Sequence, residues 1–284
     1  MKRPLLSLLL VSMCSFGCSS GNGDDGIDTP LDPNVAPVTV GNWYRPTTAS
    51  TWQWQLKEKL NTDYDVEIFD IDLFDIDEAQ IASLQEDGKK VICYFSAGSS
   101  EDWRNDFDQF KEDDMGGPLD DWEGEHWLDI RLPNVHEIML SRLDLAVLKG
   151  CDGVEPDNVD GYANDTWFSL NYDDQLAFNR FLSNAAHERG LAVGLKNDGG
   201  QVKDLVDYYD FELNEECHQF DECEELSAFK ENGKPILNAE YAGSLSEAQA
   251  MAETICPAAI AADIRTLILP LDLADSFRIS CDEQ

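Results

Sequence analysis

Two stretches of this chain place carboxylates where an apolar run gives way to a loop. One is Gly153-Val154-Glu155-Pro156-Asp157-Asn158-Val159-Asp160; the other is Phe211-Glu212-Leu213-Asn214-Glu215-Glu216-Cys217. Two carboxyls set across a cleft are the minimum equipment for cleaving a glycosidic bond, one as acid and the other as nucleophile or base. Side chains alternate along a strand, so Glu155 and Asp157 share a face while the strand stays regular. Pro156 cannot donate to a ladder and marks the break into a loop, which sets Asp157, Asn158 and Asp160 at a mouth. The competing reading is a group of acids capping the next helix. In the second stretch the adjacent Glu215 and Glu216 point in opposite directions, and Glu215 is the one assigned to the interior. A Cys217–Cys223 bridge would clamp the loop behind it.

Something must carry these residues, and the hydrophobic pattern supplies it. Apolar runs read as strands over 65–73, 91–97, 127–130, 152–157, 192–197, 210–214, 235–240 and 266–271. Helical stretches alternate with them. Asn134 with Glu137 suggests one helix start and Gly150 its end, while Phe178, Phe181, Leu182 and Ala185 share a face before Gly190. Ser244 and Glu247 suggest another capping box. Eight βα units with polar strand ends predict an α/β fold, a (β/α)8 TIM barrel whose site lies at the C-terminal face. A doubly wound open sheet is the alternative, but no glycine-rich phosphate loop follows the first strand.

Bulk properties narrow the function. Residues 1–18 read as a secretory signal: Lys2 and Arg3, an apolar run, then small residues, with Ser15-Phe16-Gly17-Cys18 approximating a lipobox that would lipidate Cys18. Residues 19–37 read as a flexible linker and 38–284 as one hydrolase domain. Export to a bacterial outer membrane or cell surface, or secretion, follows as the expectation. Asp and Glu number 57 against 20 Lys and Arg, a formal charge of −37. That excludes nucleic acid and leaves a membrane only through a lipid anchor. A cationic substrate suits such a field, although acidity also serves solubility. Six cysteines follow Cys18, with Cys217–Cys223 and Cys256–Cys281 as candidate disulfides and Cys93 and Cys151 either paired or buried thiols. No cofactor is expected and no metal: there is no CxxC, and the His residues lack ligand spacing. The acids of Asp70-Ile71-Asp72-Leu73-Phe74-Asp75-Ile76-Asp77 lack the glycine and distal Glu of a calcium loop.

Several segments carry a resemblance in their order along the chain. They are Trp52-Gln53-Trp54-Gln55-Leu56, Cys93-Tyr94-Phe95-Ser96-Ala97-Gly98, Gly150-Cys151-Asp152-Gly153-Val154 with Pro156 to Tyr162, Lys196-Asn197, Asn214-Glu215 and Ala239-Glu240-Tyr241. From Trp43 to the C-terminus the chain resembles glycoside hydrolase family 114, the endo-α-1,4-polygalactosaminidases. It departs from the family pattern at Glu155, where Asp is common, and at Glu216, where Gln is common. The resemblance implies endo-hydrolysis of α-1,4-linked galactosamine in a cationic polysaccharide; the protein is expected to act as a monomer. Asp157 is then the nucleophile and Glu215 the general acid and base, with the acid's pKa raised.

Asp72, Tyr94, Ser96, Asp129, Glu155, Asn158, Asp160, Lys196, Asn197, Glu240 and Tyr241 are the candidate substrate contacts. Each of the acids among them serves equally as partner to a barrel Lys or Arg. Lys196 is better suited to holding a catalytic carboxylate charged than to touching a cationic sugar. Trp43, Tyr44, Trp103 and Tyr162 join Tyr94 and Tyr241 as possible sugar platforms, while Trp52 and Trp54 read as lid or core. Hydrolysis of another α-linked glycan, or binding of a cationic glycan without cleavage, are the competing functions.

Overall fold

The computed structural model describes residues 30–283. Eight strands run parallel in chain order: β1 (Trp52–Gln55), β2 (Ile68–Asp72), β3 (Lys90–Ser96), β4 (Gly153–Asp157), β5 (Ala192–Lys196), β6 (Phe211–Glu215), β7 (Ile236–Tyr241) and β8 (Arg265–Leu269). Each pairs with the next. A short strand, Ile279–Ser280, adds antiparallel to β8. The curled sheet meets itself through side chains and loops: Trp52 Nε1 donates to Arg265 O at 2.9 Å, Arg278 to Trp52 O at 3.0 Å, and Leu56 N to Leu273 O at 3.1 Å. This is the expected (β/α)8 architecture.

Two of the expected strands are corrected. The first staves are Trp52–Gln55 and Ile68–Asp72, so the Trp-Gln-Trp-Gln segment is barrel wall with all four residues buried. A strand buried on both faces shows no alternation, and polar Gln hides it. Conversely, the run at 127–130 is no stave. Glu125–Leu128 pairs antiparallel with Ser99–Glu101 and Met115–Pro118 in a separate three-stranded sheet inserted after β3.

Alternation along the staves builds two apolar layers. Trp52, Trp54, Ile68, Ile92, Phe211, Leu213 and Leu237 fill the lumen, while Phe69, Ile71, Val91, Cys93 and Phe95 pack outward under the helices. Gly194 is required where β5 faces Phe211, since a Cβ there would lie 2.3 Å from the ring.

Helix Pro133–Lys149 starts with Pro at N1 and Leu132 as N-cap. Asn134 is therefore not the cap; its side chain donates to Gln109 O at 3.0 Å and to Asp114 at 2.6 Å. Gly150 ends the helix as expected, at φ 90°. Helix Tyr172–Glu188 opens on an Asn171–Asp174 capping box, and Ser244 caps Leu245–Ala262.

Part of the expected linker is structured: Pro33, Val35 and Ala36 carbonyls accept from Arg180, Tyr208 and Asn184, docking the segment on helix Tyr172–Glu188. Backbone carbonyls supply that contact, so an apolar count cannot reveal it. Three disulfides form, Cys93–Cys151, Cys217–Cys223 and Cys256–Cys281. No helix among the described residues is long and apolar enough to cross a membrane. The signal segment and Cys18 lie outside the described residues.

Candidate active site

Lys196, the last residue of β5, is the pivot. Its Nζ lies 2.9 Å from Asp157 Oδ1, at the end of β4, and 2.9 Å from Glu215 Oε2, at the end of β6. Parallel neighbours in a barrel bring successive strand ends together, which is why residues so far apart in sequence meet here. The facing oxygens of the two acids therefore stand at most twice 2.9 Å apart. Lys196 rests 5.1 Å above the Trp54 ring, and Glu155 Oε1 approaches its Nζ to 3.7 Å from below.

Each acid is fixed further. Tyr94 Oη donates to Asp157 Oδ2 at 3.0 Å, and the Asn158 amide to Oδ1 at 2.7 Å. Glu215 accepts from Tyr241 Oη and from Asn197 Nδ2, the latter at 3.1 Å. Glu215 Nα in turn donates to Asn197 Oδ1 at 2.9 Å. Asn158 leaves β4 at φ 59° and donates to Ser96 Oγ at 2.9 Å. At the facing exit of β3, a Cβ on Gly98 would lie 1.7 Å from Asn158 O, so glycine permits the two loops to touch.

Burial pushes the Glu215 carboxyl up, but the Lys196 charge and the Tyr241, Lys196 and Asn197 hydrogen bonds outweigh it and hold it below the ordinary range. The sequence expectation of a raised acid is thus not met in the free protein, because the same lysine serves both carboxylates. Burial alone would discharge Lys196, yet Asp157, Glu215 and Glu155 hold its pKa well above normal. Beneath them, Asp70 and Glu155 are fully buried and both are pushed well up by burial. None of their carboxyl oxygens finds a well-aligned donor, and the neighbouring Asp70 adds to the burial that raises Glu155.

A cleft of about 970 Å³ opens above the pair. Of the expected contacts, Asp72, Tyr94, Asn158, Asp160, Lys196, Asn197 and Tyr241 line it with Asp157 and Glu215. Asp72 is engaged by Arg104 through two hydrogen bonds, of 2.9 and 2.6 Å. Four expected contacts stand elsewhere. Ser96 is buried against Ser99 at 2.6 Å, and Glu155 lies below the floor. Asp129 is clasped by Arg131 at 2.7 and 2.8 Å, and Glu240 faces outward, accepting from the His218 amide at 2.9 Å. Alternation turns Glu240 away, Arg131 holds Asp129, and Ser96 and Glu155 are buried by what packs around them. Trp43 stacks on His187 and Tyr44 bonds Glu67, both away from the cleft.

Trp103, an expected platform, lies on the cleft rim with Trp122 and Trp167, which the sequence reading missed. All three are exposed. Glu101 and Glu125 were missed too: they sit on the inserted sheet, which was read as a barrel strand. Glu125 accepts from Ser99 at 2.7 Å and burial lifts its pKa to about 7.

An eight-stranded parallel barrel with two carboxyls bridged at its C-terminal strand ends is the architecture of a barrel glycosidase. The chain belongs to glycoside-hydrolase family GH114, whose model matches residues 33–284. It is similar to Ega3 of Aspergillus fumigatus, solved in complex with galactosamine: 43% identity, TM-score 0.79, covering 85% of this chain and 99% of that one. The fold also matches the glycoside hydrolase domain of PelA from Pseudomonas aeruginosa at 14% identity and TM-score 0.66, covering 81% and 98%. No curated protein sequence matches the chain.

Proposed function

We propose that the protein is an endo-acting hydrolase of α-1,4-linked, galactosamine-containing polysaccharide, with Asp157 as nucleophile and Glu215 as general acid and then base. The observation that carries the reading is the shared lysine. Two oxygens each 2.9 Å from one Nζ stand at most twice that distance apart, which favours the close carboxyl pairing of retaining enzymes. Glu215 gives its proton to the glycosidic oxygen while Asp157 attacks the anomeric carbon. Water then releases the sugar with Glu215 as base.

The low resting pKa of Glu215 is reconciled by substrate entry. A sugar covering the pair removes water, strengthening the burial effect that already pushes this carboxyl upward. Galactosamine is supported as the sugar by the likeness to Ega3 and by a net charge of −37. The cleft runs from Trp122, in a loop of the inserted sheet, past the carboxyls to Asp272 after β8, more room than one sugar fills. That supports internal cleavage. Three disulfides support export to an oxidising compartment, with Cys18 the anchor if the protein is retained at a membrane.

The test is product release from partly deacetylated α-1,4-galactosaminoglycan, by mass spectrometry, for wild type, Asp157→Asn and Glu215→Gln. Oligosaccharides from wild type alone are expected, with the α-anomer forming first by NMR. A folded wild type that releases nothing overturns the substrate assignment.

A further inference from the structure

A continuous hydrogen-bonded chain links Glu125, on the inserted sheet, to Asp157 at the end of β4. Ser99 Oγ donates to Glu125 Oε2 at 2.7 Å, and Ser96 Oγ stands 2.6 Å from Ser99 Oγ. Asn158 Nδ2 donates to Ser96 Oγ at 2.9 Å and reaches Ser99 Oγ at 3.3 Å. The Asn158 backbone amide then donates to Asp157 Oδ1 at 2.7 Å. Register explains the first link. Ser99 pairs with Trp127 and Glu101 with Glu125 in the antiparallel ladder, so Ser99 and Glu125 are diagonal neighbours on one face. Glu125 lines the cleft, whereas Ser96 and Ser99 are fully buried, out of reach of a substrate.

The chain has a direction. A hydroxyl has one proton to give and two lone pairs to fill. Ser99 gives its proton to Glu125, so Ser96 gives its own to Ser99. Ser96 Oγ then accepts from the Ser99 amide at 3.1 Å and from Asn158, while Ser99 Oγ accepts from Ser96 and Asn158. Every proton and lone pair of the two serines is used, provided that Glu125 accepts. Were Glu125 to donate instead, the Ser96 proton would have no acceptor along the chain. A charged terminus also strengthens each bond behind it, because hydrogen bonds in a low-dielectric interior polarise one another. That pull ends on Asn158, whose left-handed backbone, at φ 59°, turns its amide back onto the Asp157 carboxylate.

We infer that Glu125 is a positioning residue for the cleavage: through Ser99 and Ser96 its carboxylate orients Asn158, and Asn158 in turn fixes Asp157. The inference rests on Asp157 being the nucleophile of the reading above. It makes turnover depend on the charge of a group outside the carboxyl pair. Burial lifts Glu125 to about 7; the Ser99 hydrogen bond and Arg104 pull it down, while Glu101 and Asp157 push it up. The groups that face it are Glu101 across the ladder, Asp157 and Tyr94 at the barrel strand ends, and Arg104. Arg104 is engaged by Asp72 and Glu101 at 2.6 and 2.7 Å. His126, next in sequence, lies on the opposite face, its ring 3.1 Å from Gly116 O. Glu125 therefore changes charge near neutrality. The neutral acid is the poorer acceptor, Asn158 loosens, and kcat falls on the acid side.

The test follows the side-chain amide resonances of Asn158 by nitrogen-15 NMR across neutral pH in the intact protein. In wild type they should titrate with a midpoint near 7, and in E125Q and S99A that step should vanish. Turnover of partly deacetylated α-1,4-galactosaminoglycan then forms a double-mutant cycle. At about pH 8, kcat should fall about tenfold in E125Q and in S99A, with KM little changed, and no further in E125Q/S99A. Should E125Q fail to fold, S99A alone carries the comparison, since Ser99 is buried away from the cleft. Asn158 resonances that do not titrate in wild type, or that titrate unchanged in S99A, overturn the inference. So does a loss confined to KM in E125Q with S99A at the wild-type rate, which would make Glu125 a direct substrate contact. The NMR titration needs no turnover, so a failure of the substrate reading shows separately, as absence of products from the polymer with wild type.

Discussion

The ammonium of Lys196 and the carboxylate of Glu215 form a 2.9 Å ion pair at the base of the cleft. The same ammonium lies 2.9 Å from Asp157, so one lysine pairs with both of the proposed catalytic carboxylates.

Removing that lysine should uncover the effect of burial. In Lys196→Met, Glu215 loses the largest influence holding its pKa down, and burial then raises it. The alkaline limb of the kcat/KM profile, which the general acid sets, should move to higher pH, and kcat should fall about 10²–10⁴-fold as Asp157 loses its charge partner. A profile unmoved in position, however low the rate, would show that Lys196 does not tune the pair.

The barrel, the two expected disulfides and the two carboxyls that meet at Lys196 were legible because strand ends with special residues, Pro156 and Cys217, mark them in sequence. What was not legible depends on direction and on insertion. Glu240 reads like a site acid, but its place on β7 turns it outward to the His218 amide. The register of a stave decides such a face, and no local pattern fixes it in a strand buried on both sides. The inserted sheet hid for a related reason. Glu125–Leu128 is apolar enough to imitate a stave, and its antiparallel partners come from turns that carry no strand pattern. Thus Glu125, Trp122 and Trp167, which that sheet and its neighbouring loops position, went unread.

Glu155 and Asp157, two residues apart on one strand, should respond oppositely to amide substitution. Glu155 is fully buried and burial pushes its pKa well up, so Glu155→Gln replaces one neutral group with another. Activity should stay within about threefold of wild type, whereas Asp157→Asn should lose at least about 10³-fold. Glu155→Ala removes the partner instead and should cost about 1–3 kcal/mol of stability, measured by denaturant melts. A Glu155→Gln enzyme as inactive as Asp157→Asn would mean that Glu155 works as a charged group.

Stability should fall as pH rises from about 4 to about 8. Burial, with Asp160 nearby, lifts Asp198 from 3.8 to about 8, and burial lifts Glu125 from 4.5 to about 7. Above the ordinary carboxylate range the unfolded chain has released these protons while the native state keeps them. Their contribution is therefore complete below about pH 4 and gone above about pH 8. Glu215 is lowered, so its opposite contribution is lost only in acid, outside this window. At about 1.4 kcal/mol per pH unit, Asp198 should account for at most about 6 kcal/mol and Glu125 for at most about 3 kcal/mol. Thermal melts of wild type and Asp198→Asn across pH 5–8 test this: the variant's curve should be the flatter, and parallel curves would refute the assignment.

The three disulfides should separate stability from activity. Chain-entropy arguments scale with the loop closed, giving about 4 kcal/mol for the 58-residue Cys93–Cys151 loop and about 2 kcal/mol for the six-residue Cys217–Cys223 loop. Cys93 packs outside the barrel, away from the carboxyls. Cys217, by contrast, follows Glu215 by two residues, and Glu216 between them is held at φ 60°. The double variant C93A/C151A should therefore lose the larger share of unfolding free energy in guanidinium melts while the surviving folded protein keeps its kcat. C217A/C223A should melt closer to wild type yet lose about tenfold in kcat, because a misplaced acid is expensive at this distance scale. If C217A/C223A turned over at the wild-type rate, the bridge would be a staple for the loop alone, and the orientation of Glu215 would rest on Tyr241, Asn197 and Lys196.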